Sequence, residues 1–438
     1  MDSRAVQRML RITSLFSVNI FFYSTSLPIL FYVAFLMILC KNEVQLQKTQ
    51  SLMFKRDISK ELESMAQDYP VVTVLGPRQS GKTTLVQHVF SHKKYANLEF
   101  PDVRSAALLD PRGFLEQFPE GAILDEIQRA PELLSYIQPL VDLKNSKGMF
   151  ILTGSHQLEL HQAIAQSLAG RTALLTLLPM ALHELVHAGF HLSIDEWMLK
   201  GGYPRIYKDN LDPTKAYRNY FQTYVERDIR QLIQVKDLMQ FERFVQIMAG
   251  RIGQIVKMEE IGGEVGVSSH TVKHWISILE ASFILFRLPP YFENFGKRVI
   301  KSPKIYFHDV GLVAYLLGIQ NETQLSRDPL RGSLFENAVI LELKKHLLNQ
   351  GKDPSLFYYR DSLRNEVDVI YKKGHELVPI EIKSGKTYHS DFLTTLNYFQ
   401  SITDGRSPSA FLIYAGTVEQ KIHSTQILNV HNALKALS

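Results

Sequence analysis

Three stretches predict an α/β protein in three parts. The parts are a parallel sheet around a phosphate-binding loop, a mostly helical middle with a helix-turn-helix, and a second α/β domain. "VVTVLGPRQSGKTTLVQHVF" reads as a buried strand, a glycine loop and a helix. "MEEIGGEVGVSSHTVKHWISILEASFILFRL" reads as two short helices, then a strand. "EVDVIYKKGHELVPIEIKSGKT" reads as two strands on a lysine-glycine turn, with acids and a lysine near the strand ends. Around the first stretch, strands alternate with helices, which requires a parallel sheet covered on both faces.

The chain has 438 residues, 45% of them apolar, enough for two or three domains with their own cores. A net charge of +5 permits nucleic-acid contact without demanding it. The single cysteine, Cys40, excludes an internal disulfide and any cysteine-based zinc site.

The first module is expected over residues 53–180. Its loop fits G-x-x-x-x-G-K-[ST] as Gly76…Gly81-Lys82-Thr83. Backbone N–H groups from Gly76, Gln79, Ser80, Gly81, Lys82, Thr83 and Thr84 are the expected phosphate cradle, helped by the helix N-terminus. Lys82 is expected at the β- and γ-phosphates of ATP, and Thr83 at Mg²⁺. In "GAILDEIQ", Asp125 would hold Mg²⁺ through water and Glu126 would orient the attacking water. A glutamate in that place favours an ATP hydrolase over a nucleotide kinase. In "GMFILTGSHQ", Thr153 and Ser155 end a buried strand, as γ-phosphate sensors or as a simple helix cap. Arg171 would complete its own site, or a neighbour's in a homo-oligomer. The alternative is a surface ion pair.

Residues 1–52 form an apolar extension. Ile12 to Cys40 carries no charge and is long enough to cross a bilayer. Arg4, Arg8 and Arg11 precede it as in a signal sequence, but "FLMIL" lacks the small residue of a cleavage site. Lys41, Lys48, Lys55 and Arg56 follow, so charge bias gives no orientation. An exported ATPase would lose its fuel. Two readings remain: a membrane anchor over 12–40 with the body in the cytosol, or a working protein that starts near Met53. In the second, "MFKRDISKELESM" is the opening helix.

The middle, 181–318, contains a tight turn in "GGYPRIY" and a charged helix in "YVERDIRQLI". Then come a helix, a turn at Gly266-Val267, and a helix opened by Ser268 or Ser269 with Val272, Ile276 and Leu279 facing inward. A strand pair follows, which makes a winged-helix pattern. Lys273 and His274, with Lys297, Arg298, Lys301 and Lys304 on the wing, would meet DNA. Against this, Trp275 makes the face less polar than a groove reader needs, and winged helices also serve as packing modules.

In the last part, 319–438, Glu336, Ile340, Leu343 and Leu347 share one helix face, where a carboxylate is costly unless paired or metal-bound. The αβββαβ order is that of the restriction-endonuclease-like core. There two carboxylates bind Mg²⁺ and a lysine orients water. Glu336, Asp368, Glu381 and Lys383 stand at matching places. The alternative is a nuclease-like scaffold whose charges form an ion-pair cluster.

"LGPRQSGKTTL", "LDEIQRAP", "FILTGS", "SLAGR", "GGYP", "ERDI", "KIYFHDVGL" and "SLFENAVILEL…EVDVI…PIEIKSG" together resemble bacterial and archaeal ATP-binding proteins of the AAA superfamily. Those pair an ATPase module with a C-terminal domain of unassigned function, similar to nucleases of the restriction type. The resemblance runs from about Phe54 to the C-terminus. It implies ATP binding and hydrolysis through Lys82, Thr83, Asp125 and Glu126, and no agreed substrate. The expected partners are ATP and either DNA or a protein. A membrane is a partner only through the N-terminal segment.

Overall fold

The computed structural model describes residues 54–155, 160, 163–164, 166–223, 238–292 and 301–438. The 12–40 segment, the "YVERDIRQLI" helix, Lys297 and Arg298 lie outside them. Among the described residues no helix is long and apolar enough to cross a membrane.

The first sheet has five parallel strands: β1 (Val71–Leu75), β2 (Lys94–Asn97), β3 (Ala122–Asp125), β4 (Phe150–Gly154) and β5 (Thr172–Thr176), in the order β2-β3-β4-β1-β5. β1, β3 and β4 are buried throughout, as helices on both sides demand. Alternate residues feed opposite cores. Val72, Val74, Ile123 and Ile151 pack with Leu62 of α1 (Ser59–Asp68) and Leu85 of α2 (Lys82–Val89). Val71, Leu75, Leu124, Phe150 and Leu152 face the other way. They join a core that also takes α3 (Pro101–Leu109), α4 (Pro111–Glu116) and α5 (Leu133–Lys144).

Short helices follow: α6 (Leu182–His187), α7 (Ile194–Lys200), α8 (Pro204–Lys208), α9 (Pro213–Tyr220) and α10 (Leu238–Gly250). Next come α11 (Met258–Val265) and α12 (Ser269–Ala281), with Gly266 at φ 85° ending the first and Ser268 capping the second through the Thr271 N–H. β6 (Leu285–Leu288) pairs antiparallel with β7 (Lys304–Phe307). Two sequence expectations are corrected here. Trp275 turns inward against Phe241 and Phe244, so it does not interrupt the outer face carrying Lys273 and His274. Lys304 is 3% exposed, so it is not available to a nucleic acid.

The last part has α13 (Val310–Leu316), α14 (Glu322–Arg327) and α15 (Arg331–Asn349), then β8 (Leu356–Arg360), β9 (Glu366–Lys373), β10 (Glu376–Lys383), α16 (Thr394–Ile402) and β11 (Ala410–Tyr414). The chain does not stop at αβββαβ: β12 (Gln420–Ile422) and β13 (Thr425–Asn429) extend the sheet. Its order is β12-β13-β11-β10-β9-β8, parallel at β10–β11 and β11–β13 and antiparallel elsewhere. This mixed sheet is separate from the first. α15 joins the two regions. Glu342 accepts from the Leu182 N–H at 2.7 Å, and Lys345 Nζ donates to Met180 O at 2.8 Å and to Glu342 at 3.0 Å.

Candidate functional site

The loop after β1 is shaped by its backbone. Gly76 sits at φ 152°, and a Cβ there would lie 2.1 Å from Leu177 O. Gln79 at φ 63° and Gly81 at φ 95° complete the curl, and α2 starts at Lys82. Left-handed backbone at a non-glycine residue is a local cost that tends to mark a working site. Lys82 is buried and its Nζ donates to Gly76 O at 2.9 Å and Pro77 O at 3.0 Å. Burial pulls its pKa down to about 8, against the opposing pull of Glu126 and Asp125. Ser80 Oγ is buried and, among the described residues, has no hydrogen-bond partner.

β4 lies between β1 and β3, so its end reaches the acids. Asp125 accepts from Thr83 Oγ1 at 3.0 and 3.1 Å, from Tyr95 OH at 2.8 Å, and from Thr153 Oγ1. Burial, then the bond to Asp125, pushes the Tyr95 pKa far up. Glu126 is left-handed at φ 58°, and its N–H donates to Thr153 Oγ1 at 3.1 Å. Its carboxylate accepts from Gln128 and, at 3.1 Å, from Ser155 Oγ. The expected Lys82, Thr83, Asp125, Glu126, Thr153 and Ser155 are therefore brought together.

Arg171 is not. Its carbonyl accepts from the Val71 N–H, at the end of the sheet away from the loop. Four residues of strand, about 13 Å, separate that level from Leu75. Its guanidinium holds Asp142 at 2.6 and 2.8 Å on the surface, and among the described residues it meets none of the side chains gathered at the loop.

Sequence reasoning missed Tyr95, Gln128 and, above all, Arg56, which it had read as a cation after the apolar segment and as part of an opening helix. Arg56 is 6% exposed. It donates to Ser80 O at 2.8 Å, Leu178 O at 2.6 Å and both Glu184 oxygens at 3.1 Å. It thus braces the loop from behind. The "GGYPRIY" turn also gains a role. Pro204 Cγ would be 4.0 Å from a Cβ on Gly81. A cavity of about 380 Å³ opens there between Gln79, Tyr203, Ile206 and Tyr220.

The second set of acids is also assembled, but with more cations than expected. Lys304 Nζ reaches Glu366 at 2.6 Å and Glu336 at 3.3 Å, and Tyr306 OH donates to Glu336. Asp368 accepts from the Ile382 N–H at 2.8 Å. Glu381 accepts from Lys383, and from Thr395 at 3.2 Å. Burial raises the Glu381 pKa, and Asp368 adds to it. Burial raises Glu336 and Asp368 as well, with Lys304 opposing both. Among the described residues no three His, Cys, Asp or Glu side chains converge to hold a metal ion. Lys304, Tyr306 and Glu366 were missed because their partners are remote in sequence.

Residues 68–186 match a family described as "AAA domain", residues 191–323 "Domain of unknown function (DUF8612)", and residues 331–433 "Domain of unknown function (DUF4143)". Two curated relatives, "Uncharacterized protein Rv2008c" of Mycobacterium tuberculosis and "Uncharacterized protein Mb2031c" of Mycobacterium bovis, are each 30% identical over 339 residues. That is 77% of this chain and 75% of theirs. Likeness to solved structures is weak. The Walker-type ATPase PABY2304 of Pyrococcus abyssi overlaps 60% of this chain and 96% of its own at 16% identity and a TM-score of 0.38. AMPPCP-bound DnaA from Aquifex aeolicus overlaps 51% and 85% at 16% identity and a TM-score of 0.24. With a phosphate loop in an AAA-matched module and that shared identity along most of its length, the chain belongs to the family of these two mycobacterial proteins, and its first module is that of an AAA-superfamily ATPase.

Proposed function

We propose that the protein hydrolyses ATP and uses its nucleotide state to drive the helix-turn-helix and C-terminal regions on a nucleic acid or a protein partner. The boundaries taken for these parts are 53–180, 181–318 and 319–438. The observation that carries the reading is the convergence of Thr83, Asp125 and Thr153 beside Glu126. Lys82 would bind the β- and γ-phosphates, with N–H groups of Gly76, Gln79, Ser80, Gly81, Lys82, Thr83 and Thr84 around them. The orphaned Ser80 hydroxyl and a lysine turned onto its own loop carbonyls fit an anion there. Thr83 and Asp125 would hold Mg²⁺, which supplies charge neutralisation on the phosphates. Glu126 would orient the attacking water, with Ser155 and Gln128 controlling where its carboxylate points. The cavity beside Gln79 and Tyr203 would take the base. Turnover measured on Lys82→Ala tests this: unchanged hydrolysis sinks the assigned site.

A second reading is an ATP-gated, Mg²⁺-dependent DNA nuclease. It is favoured by the coupling of Glu336, Asp368 and Glu381, whose mutual repulsion a cation would relieve. Lys304 and Lys383 now supply that charge, so metal entry requires them to give way. The remaining alternative is a nucleotide-regulated DNA-binding or scaffold protein with little turnover. Nicking assays with Mg²⁺ or Mn²⁺, with and without ATP, separate the two. Cleavage lost in Asp368→Ala supports the nuclease, and no cleavage of any nucleic acid counts against it.

A further inference from the structure

A cavity of about 460 Å³ is lined by none of the acids of either cluster. Its walls include Leu75 at the end of β1, Leu174 to Thr176 of β5, the Phe283–Arg287 stretch that includes the start of β6, His308, Lys344 and Leu348 of α15, and residues 351–354. That volume suits a metabolite-sized ligand, and a mostly apolar lining with a few convergent polar groups is the usual form of such sites.

Two of its polar groups, one half-buried and one buried, lack hydrogen-bond partners at a ring nitrogen or an ammonium among the described residues. Lys344 Nζ rests over the Phe286 ring, 3.8 Å from the centroid, and among the described residues it makes no hydrogen bond or ion pair. The nearby acid, Glu280, is already taken by Arg287. Burial lowers the Lys344 pKa to about 7. His308, also in the lining, is 6% exposed and packs against Phe283 and Phe286, and among the described residues its Nδ1 has no hydrogen-bond partner. Burial, then Lys344 and Lys345, keeps this imidazole neutral. A buried polar atom left unsatisfied is costly, so the orphaned His308 Nδ1 and the half-buried Lys344 ammonium on one cavity call for an occupant.

We propose that this cavity binds a small monocarboxylate with an apolar body, its carboxylate held by the Lys344 ammonium and the His308 imidazole. The apolar body would lie along Leu174, Leu285 and Leu348. Arg287 is paired with Glu280, and Lys352 and Asp353 offset each other in charge, so Lys344 leaves one positive charge to match one negative charge. The five charged side chains of the lining carry a net charge of +1, which weighs against a dianion such as a phosphate monoester.

Calorimetric titration of the full chain with octanoate, phenyl phosphate and 1-octanol tests the assignment. Octanoate is expected to bind best. Lys344→Met, which keeps a flexible apolar stem over Phe286, is expected to weaken octanoate roughly tenfold or more while leaving 1-octanol unchanged. Because a variant may fold poorly, the wild type supplies a second measurement. Octanoate, and not 1-octanol, is expected to protect Lys344 from acetylation, read by peptide mass spectrometry. Absence of octanoate binding and of protection overturns the proposal. So does equal binding by a folded Lys344→Met, and tighter binding of phenyl phosphate overturns the assignment of a monocarboxylate.

Discussion

Replacing Arg56 by methionine tests whether the phosphate loop is braced from behind. The guanidinium is buried and spends its donors on Ser80 O, Leu178 O and the Glu184 carboxylate. Methionine fills much of the space but supplies none of those bonds. Glu184, with a side chain 1% exposed, is left with the Asp57 and Ala181 N–H groups at 2.8 and 2.9 Å. Breaking a buried pair costs about 3–5 kcal/mol. The two surviving N–H donors place this case at the lower end, about 3 kcal/mol. Ser80 O separately loses a charge-assisted bond, so ATP affinity is expected to fall roughly tenfold or more. Urea unfolding of the full chain reads the first effect and nucleotide titration the second. Adding Glu184→Gln is expected to recover about 1 kcal/mol or more, because the stranded charge is removed. A single-variant loss below about 1 kcal/mol, with ATP affinity unchanged, refutes the reasoning.

Further outcomes follow from the same site. Gly76→Ala places a Cβ 2.1 Å from the Leu177 carbonyl, so the loop must shift and nucleotide binding is expected to be lost, measured by titration. Thr153→Val is nearly isosteric but removes a donor to Asp125 and the acceptor for the Glu126 N–H; the stability loss in urea is expected to be about 1–3 kcal/mol, with slower hydrolysis. Lys82, lowered to about 8, is charged below that pH and loses its proton above it. Bound phosphate would favour the protonated amine, so ATP affinity is expected to be flat below pH 8 and to fall up to about tenfold per unit above it. Affinity that stays flat to pH 10 would show that Lys82 does not meet the phosphates.

Local pattern carried most of the fold. The glycine spacing of the loop, the apolar runs before Asp125 and Thr153, and the strand lengths of "LFYYR", "EVDVIY" and "ELVPIEIK" are short-range signals, and each element formed where its residues require. The candidate acids Asp125 and Glu126 were legible for the same reason: they stand at the end of a buried strand. What stayed hidden was pairing across long separations. Arg56 meets Glu184 128 residues away, and nothing in "MFKRDISKEL" distinguishes a buried arginine from an exposed one. Lys304 looked like a wing lysine because its charge was visible and its neighbours were not. Trp275 looked like a surface interruption because its Phe241 and Phe244 partners lie on another helix.

α15 shows why a one-stripe reading of a helix fails when two bodies flank it. The apolar stripe through Ile340, Leu343 and Leu347 is buried as its spacing requires. Yet Glu342 and Lys345, off that stripe, are 5% and 4% exposed. They are buried because the helix is covered on a second side by the segment entering α6, whose free backbone groups they satisfy. Glu342 takes the Leu182 N–H, Lys345 takes the Met180 carbonyl, and each holds the other. An apolar residue at either place would leave those backbone groups without partners, at the cost that any buried orphan carries. One turn and a half earlier the same helix presents Glu336 to Lys304 and Tyr306. A rigid helix therefore carries one end of the acid cluster and the polar seam against the ATPase module. Met180 and Leu182, which follow β5, are thus hydrogen-bonded to the same helix that carries Glu336.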